Sequence, residues 1–135
     1  MMDNATVMIV EDEAVIAADL AGKIERMGHQ VVGIASTAEK AIDLAISFSP
    51  QLVVVDVHLS SSKSGIQAAK VIQVLCDDAP VIFLTASAEQ VDISCDNFSG
   101  PYGFISKPFK ARALNSQIER MLNRNFEMAS LGQDI

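Results

Sequence analysis

The chain has 135 residues, half of them hydrophobic, which is enough for one domain around one core and excludes a disordered chain. Its 17 acidic residues outnumber 10 basic ones for a net charge of −7, an acidic surface that repels phosphate backbones and argues against nucleic acid as a direct partner. No apolar run approaches the ~20 residues that cross a bilayer, and the opening "MMDNATVMIVEDE" lacks a signal peptide's basic lead-in.

A cytoplasmic protein with no membrane partner is therefore expected. Taken in chain order, short apolar runs alternate with longer amphipathic ones. Val7–Val10 reads as the first strand. Ile16, Leu20, Ile24 and Met27 recur at helical spacing, with Gly28 as the expected C-cap. Gln30–Ala35 is the second strand, and His29 before it reads as a surface residue. Ser36 and Glu39 make a capping box for a helix carrying Ala41, Ile42, Ala45 and Ile46, closed by Pro50. Leu52–Val55 is the third strand and Ile66 to Leu75 the third helix. Val81–Leu84 is the fourth strand. "ASAEQVDISCDNFSG" (residues 86–100) is the weakest helix, rich in Ser, Asp and Asn. Tyr102–Ile105 is the fifth strand, and Leu114 to Leu122 the last clear helix. Arg112, Arg120 and Arg124 are interrupted by Glu119 and Glu127, a solvated face. Cys76 and Cys95 have no metal-like spacing and are expected as reduced thiols. The domain is expected over residues 1–125, with 126–135 a helix extension or flexible tail.

The βαβαβαβαβα pattern implies a parallel sheet with helices on both faces, a doubly wound α/β fold. In such sheets chemistry lies beyond the carboxyl ends of the strands. Strand one ends in Glu11, Asp12 and Glu13, strand three in Asp56, strand four in Thr85, Ala86 and Ser87, and strand five in Lys107 and Pro108. Carboxylates that close repel unless a cation joins them. Hard oxygen ligands suit Mg²⁺, held by one or two carboxylates, waters and a phosphate. Asp56, which ends an apolar run with no basic neighbour in it, is the expected centre of that site.

"VMIVEDE", "LVVVDVHL", "VIFLTAS" and "GFISKPF", in this order from about residue 5 to 125, resemble the motifs of two-component response-regulator receiver domains, the CheY-like superfamily. The resemblance implies a flavodoxin-like five-stranded sheet of order 2-1-3-4-5. It makes Asp56 the phosphoacceptor, supplied by a sensor histidine kinase or histidine phosphotransferase. Asp12 and Asp56 would bind Mg²⁺ directly, Glu11 through water, and the His58 backbone carbonyl would add a ligand. Lys107 would neutralise the phosphoryl oxygens, the Thr85 hydroxyl would close onto one of them, and Ala86 would keep the approach open. Phe104 occupies the place of the switch aromatic. Three features depart from the commoner pattern: Glu11 in place of Asp, Ser60 where proline is frequent, and one extra residue before Gly65. The His58 side chain is either an influence on phosphoryl lifetime or a solvent-facing bystander.

The leading expectation is a stand-alone receiver that signals to a protein effector through its fourth helix, fifth strand and fifth helix. It would be no enzyme beyond its own aspartyl phosphorylation and dephosphorylation. Alternatives are a phosphorelay intermediate or phosphate sink, and a receiver module of a longer regulator. A Mg²⁺ hydrolase would need a general acid or base beside Asp56 and a substrate-covering cap. His58 is its lone histidine candidate, and the chain has no room for a cap.

Overall fold

Leu52–Asp56 and Val81–Thr85 are buried along their whole length, which places them inside a sheet covered on both faces. The computed structural model describes residues 4–59, 65–86 and 100–133, with side chains as far as residue 123. Its elements are β1 (Thr6–Val10), α1 (Ala14–Arg26), β2 (Gln30–Ala35), α2 (Ala38–Phe48), β3 (Leu52–Asp56), α3 (Gly65–Leu75), β4 (Val81–Thr85), β5 (Tyr102–Ser106) and α4 (Ala111–Gln133). Every strand pairing is parallel, in the order β2-β1-β3-β4-β5. The weak helix expected after β4 falls mainly on residues 87–99, outside the described residues, as does Cys95.

Strand alternation sorts the core into two layers. Val7, Ile9, Leu52, Val54, Ile82 and Leu84 pack with Leu20 and Ile24 of α1 and Leu114, Ile118 and Met121 of α4. Met8, Val10, Val53, Val55, Val81 and Phe83 pack with Ala38, Ala41 and Ala45 of α2 and Ala68, Ala69 and Ile72 of α3. Each fully buried Val, Leu or Ile contributes roughly 1.5–3 kcal/mol, so the two layers fix the sheet firmly. That rigidity holds the strand ends in register.

Three local expectations need correction. The N-cap of α2 is Thr37, whose hydroxyl accepts the Lys40 N–H at 3.1 Å. The Ser36–Glu39 box does not form, because the helix starts one residue later. The C-cap of α1 is Met27, and Gly28 follows it in the left-handed region at φ 97°. There the Gly28 N–H reaches the Glu25 carbonyl and the His29 N–H reaches that of Ile24, a Schellman turn. That turn folds His29 inward. It is 7% exposed, and its Nδ1 accepts the Ala5 N–H at 3.1 Å.

Burial lowers the His29 pKa against the opposing pull of Glu119. As pH falls through the ordinary histidine value of about 6.5, the unfolded chain takes up a proton that the folded chain refuses. Stability is therefore full above that value and declines below it. Urea midpoints measured from about pH 7.5 to 5 should fall for the wild type and flatten for His29→Gln. Equal slopes would remove His29 from the acid response.

Candidate functional site

The carboxyl ends of β1, β3 and β5 deliver Glu11, Asp12, Asp56 and Lys107 to one edge of the sheet. Glu11 continues β1, its N–H donating to the Ala35 carbonyl at 2.9 Å. Asp56 is the last residue of β3 and is paired with Leu84. Lys107 follows β5, its N–H held by the Thr85 carbonyl at 2.7 Å. Carboxylate oxygens of Glu11, Asp12 and Asp56 lie within 4.8 Å of one another. Glu11 and Asp56 are buried, at 1% and 4% exposure.

Lys107 Nζ donates to Glu11 Oε1 and Asp56 Oδ2, each at 3.0 Å. Burial works against its charge, yet the hydrogen bonds to Glu11 and then Asp56 outweigh this and hold its pKa above the ordinary value. Glu11 responds in the opposite sense. Burial, and then the neighbouring Asp56, push its carboxyl up to about 7, despite Lys107 and the Glu13 N–H. With Glu11, Asp12 and Asp56 all ionised, the ammonium of Lys107 would leave the cluster a net charge of −2. A hard divalent cation matches both that charge and the oxygen donor set, so the residues fit Mg²⁺.

Asp56 Oδ1 accepts the His58 N–H at 2.9 Å, which fixes the carboxylate's orientation. The His58 side chain is exposed. Thr85, 2% exposed, ends β4 beside Ser106. Phe104 is half-buried, stacked on Phe83 at 5.5 Å and edge-on to Tyr102 at 5.9 Å. A cleft of about 320 Å³ opens beside the cluster, lined by Ile16, Asp19, Ala86, Lys107, Pro108 and Phe109. Its α1 wall is fastened to the loop after β5, for Lys23 pairs with Asp19 and lies over the Phe109 ring.

Gly65 is a site residue whose role the sequence does not reveal. Its N–H donates to the Val57 carbonyl at 3.2 Å. A β-carbon there would stand 1.9 Å from the Asp56 carbonyl oxygen. The start of α3 thus presses directly on the backbone of Asp56. A glycine after a loop gives no hint in sequence of which backbone it touches.

Residues 7–119 match the family model described as response regulator receiver domain. The phyllosphere-induced regulator PhyR of Methylorubrum extorquens is 34% identical over 122 residues, which are 89% of this chain and 45% of that protein. The transcriptional regulatory protein PdtaR of Mycobacterium tuberculosis is 33% identical over 96% of this chain and 62% of its own length. The chain thus spans about half the length of the curated relatives it matches. The crystal structure of the anti-anti-sigma factor PhyR from Bartonella quintana superposes with a TM-score of 0.85 at 32% identity, over 98% of this chain and 53% of that one. The solution structure of the PhyR receiver domain from Erythrobacter litoralis gives 0.79 at 31% identity, over 90% of this chain and 92% of that one.

Proposed function

The chain belongs to the response regulator receiver family, and from that premise we propose that Asp56 is its phosphoacceptor, loaded by a histidine kinase or histidine phosphotransferase. The observation that carries this is Lys107, which bridges Asp56 and Glu11 at 3.0 Å each inside a cluster of three acids. Phosphoryl transfer needs positioning and charge neutralisation above all. An Asp56 oxygen attacks phosphorus as the bond to the donor's histidine nitrogen breaks, and the imidazole leaves with that electron pair. Lys107 Nζ follows the charge onto the phosphoryl oxygens as a point cation. The His58 N–H holds the second carboxylate oxygen, and small Ala86 leaves the approach open.

Asp12 and Asp56 would hold Mg²⁺ directly, with Glu11 through water and the His58 carbonyl as a further ligand. When bound, the ion neutralises charge on the transferring group. Asp12→Ala is expected to weaken Mg²⁺ binding about tenfold or more, and Glu11→Gln less, consistent with loss of one direct ligand against one water-mediated contact. Calorimetric titration checks this order. Equal losses would overturn the ligand assignment. The reading as a whole is tested with a small phosphodonor and Mg²⁺: intact-mass spectrometry should find one added phosphoryl group, and an unchanged mass would refute it.

The histidine donor would approach over the cleft lined by Ile16, Pro108 and Phe109, next to which the chain exposes Val15. Output would pass through Thr85 and Phe104 to a protein effector, a class of partner supported by the printed role of the PhyR relative as an anti-anti-sigma factor. A cytoplasmic location goes with this reading; among the described residues no helix is long and apolar enough to cross a membrane. A ligand shifts an equilibrium only by contacts that differ between states. The Thr85 hydroxyl would meet a phosphoryl oxygen only after modification, and Phe104, half-buried beside Phe83, would follow it inward. Thr85→Ala should accept phosphate nearly normally yet lose the beryllofluoride-induced amide shifts across β5. A full response in that variant would take the switch away from Thr85.

A further inference from the structure

Residues 107–110, between β5 and α4, carry no regular structure, yet the first of them holds its ammonium on two buried carboxylates. The backbone secures Lys107 at its N–H, through the Thr85 carbonyl. Pro108 has no N–H with which to add a second tie. The next side chain, Phe109, is half-buried and packs on the layer that holds Leu20, Ile24, Leu114 and Ile118. Over its ring, 5.3 Å from the centroid, lies the Lys23 ammonium of α1. The Lys23 side chain is 19% exposed, against 51% for Asp19 one turn before it. Asp19 pairs with Lys23 from four residues on the amino-terminal side, the favourable order on a helix. Such a pair is worth little by itself, but here it aims the ammonium at an aromatic face. Ile16 and Asp19 line one side of the cleft, and Lys107, Pro108 and Phe109 line the other. The contact of Lys23 with Phe109 therefore ties the two walls together.

We propose that Lys23 is a positioning residue for Lys107: by seating Phe109 against α1, it keeps the loop after β5 where the Lys107 ammonium reaches Asp56. The side chains act in series. Asp19 aims Lys23, Lys23 seats Phe109, and Phe109 fixes the loop in which Lys107 stands two residues earlier. The consequence for phosphoryl transfer rests on the reading of Asp56 as phosphoacceptor, whereas the placement of Lys107 does not. A displacement near 1 Å at reacting groups costs on the order of 10²-fold in rate. Loss of one cation–ring contact leaves the Phe109 ring packed on its layer, so a smaller loss of about five- to tenfold is expected.

Two measurements on the full chain test this. In the unphosphorylated protein, the side-chain nitrogen resonance of Lys107 should move in Lys23→Met. It should return in Lys23→Arg, whose guanidinium can lie over the same ring. It should also move in Phe109→Leu, which changes no charge, so the shift is not the field of Lys23 itself. With acetyl phosphate and Mg²⁺, Lys23→Met should be labelled about five- to tenfold more slowly than the wild type, and Lys23→Arg at nearly the wild-type rate. In a Lys107→Met background, Lys23→Met should have no further effect, because the group that it positions is gone. A Lys107 resonance unmoved in Lys23→Met or in Phe109→Leu overturns the proposal. So does slowing by the same factor with and without Lys107, the mark of a general loss of fold. A wild type that takes up no phosphoryl group would refute the Asp56 reading, and the resonance alone would then decide whether Lys23 holds Lys107.

Discussion

Asp56→Asn is expected to take up no phosphoryl group from a small phosphodonor, a loss of roughly 10⁴-fold or more in rate, as befits removal of a nucleophile. The amide keeps the shape of the carboxylate and can still accept the His58 N–H that Asp56 Oδ1 accepts at 2.9 Å. What it loses is the anionic oxygen whose electron pair would form the new bond to phosphorus. The fold should survive, because the substitution also removes one of three crowded negative charges. Lys107 retains Glu11 as a partner at 3.0 Å. Intact-mass spectrometry beside a thermal melt separates the two effects. Equal labelling of variant and wild type would end the case for Asp56.

Gly65→Ala should damage site and fold together. The added methyl would stand 1.9 Å from the Asp56 carbonyl oxygen, 2.9 Å from its carbonyl carbon and 3.0 Å from Val55 Cγ1. Two of those atoms are backbone of a buried central strand, so no side-chain rotation relieves the contact. Either α3 or the end of β3 must shift. Overpacking of this kind costs about 1–3 kcal/mol, and a displacement near 1 Å at reacting groups costs on the order of 10²-fold in rate. A urea unfolding curve and a phosphorylation time course, taken where the variant is still folded, should show both losses. A variant that melts and labels like the wild type would mean that the helix start sits farther from Asp56.

The sheet was largely legible because its strands are short apolar runs between strong turn signals. Gln30–Ala35 is observed with its expected bounds, and each other strand gains one residue at a single end. The two-layer core follows from the same alternation. The ends of elements were harder to read. Ser36 and Thr37 are both good caps in sequence, and the choice between them is made by where α2 packs. His29 looked like a surface residue because a polar side chain between helix and strand usually is one; the Schellman turn that buries it depends on the Gly28 dihedral. Gln73 was missed for a related reason. It lies in an apolar helix, 1% exposed, and its amide donates to the carbonyls of Ala79 and Pro101 and accepts the Gly100 N–H. Those partners come together only once the sheet is formed. The acids and lysine of the site were readable because topology, and not local sequence, brings strand ends together.

The Lys107 bridge also sets a condition on timing. Its ammonium reaches 51 residues back to Asp56 and 96 residues back to Glu11. A chain emerging from the ribosome presents its first three strands long before that lysine exists. Until β5 docks along β4, Asp56 is a carboxylate among like charges, without the Lys107 ammonium that pairs with it in the folded chain. Contacts of such separation form late, after the entropy of closing the long intervening loop has been overcome. With Asp56 as the proposed phosphoacceptor, an incomplete nascent chain would be inert to phosphodonors, and competence would arrive together with the closing edge of the sheet.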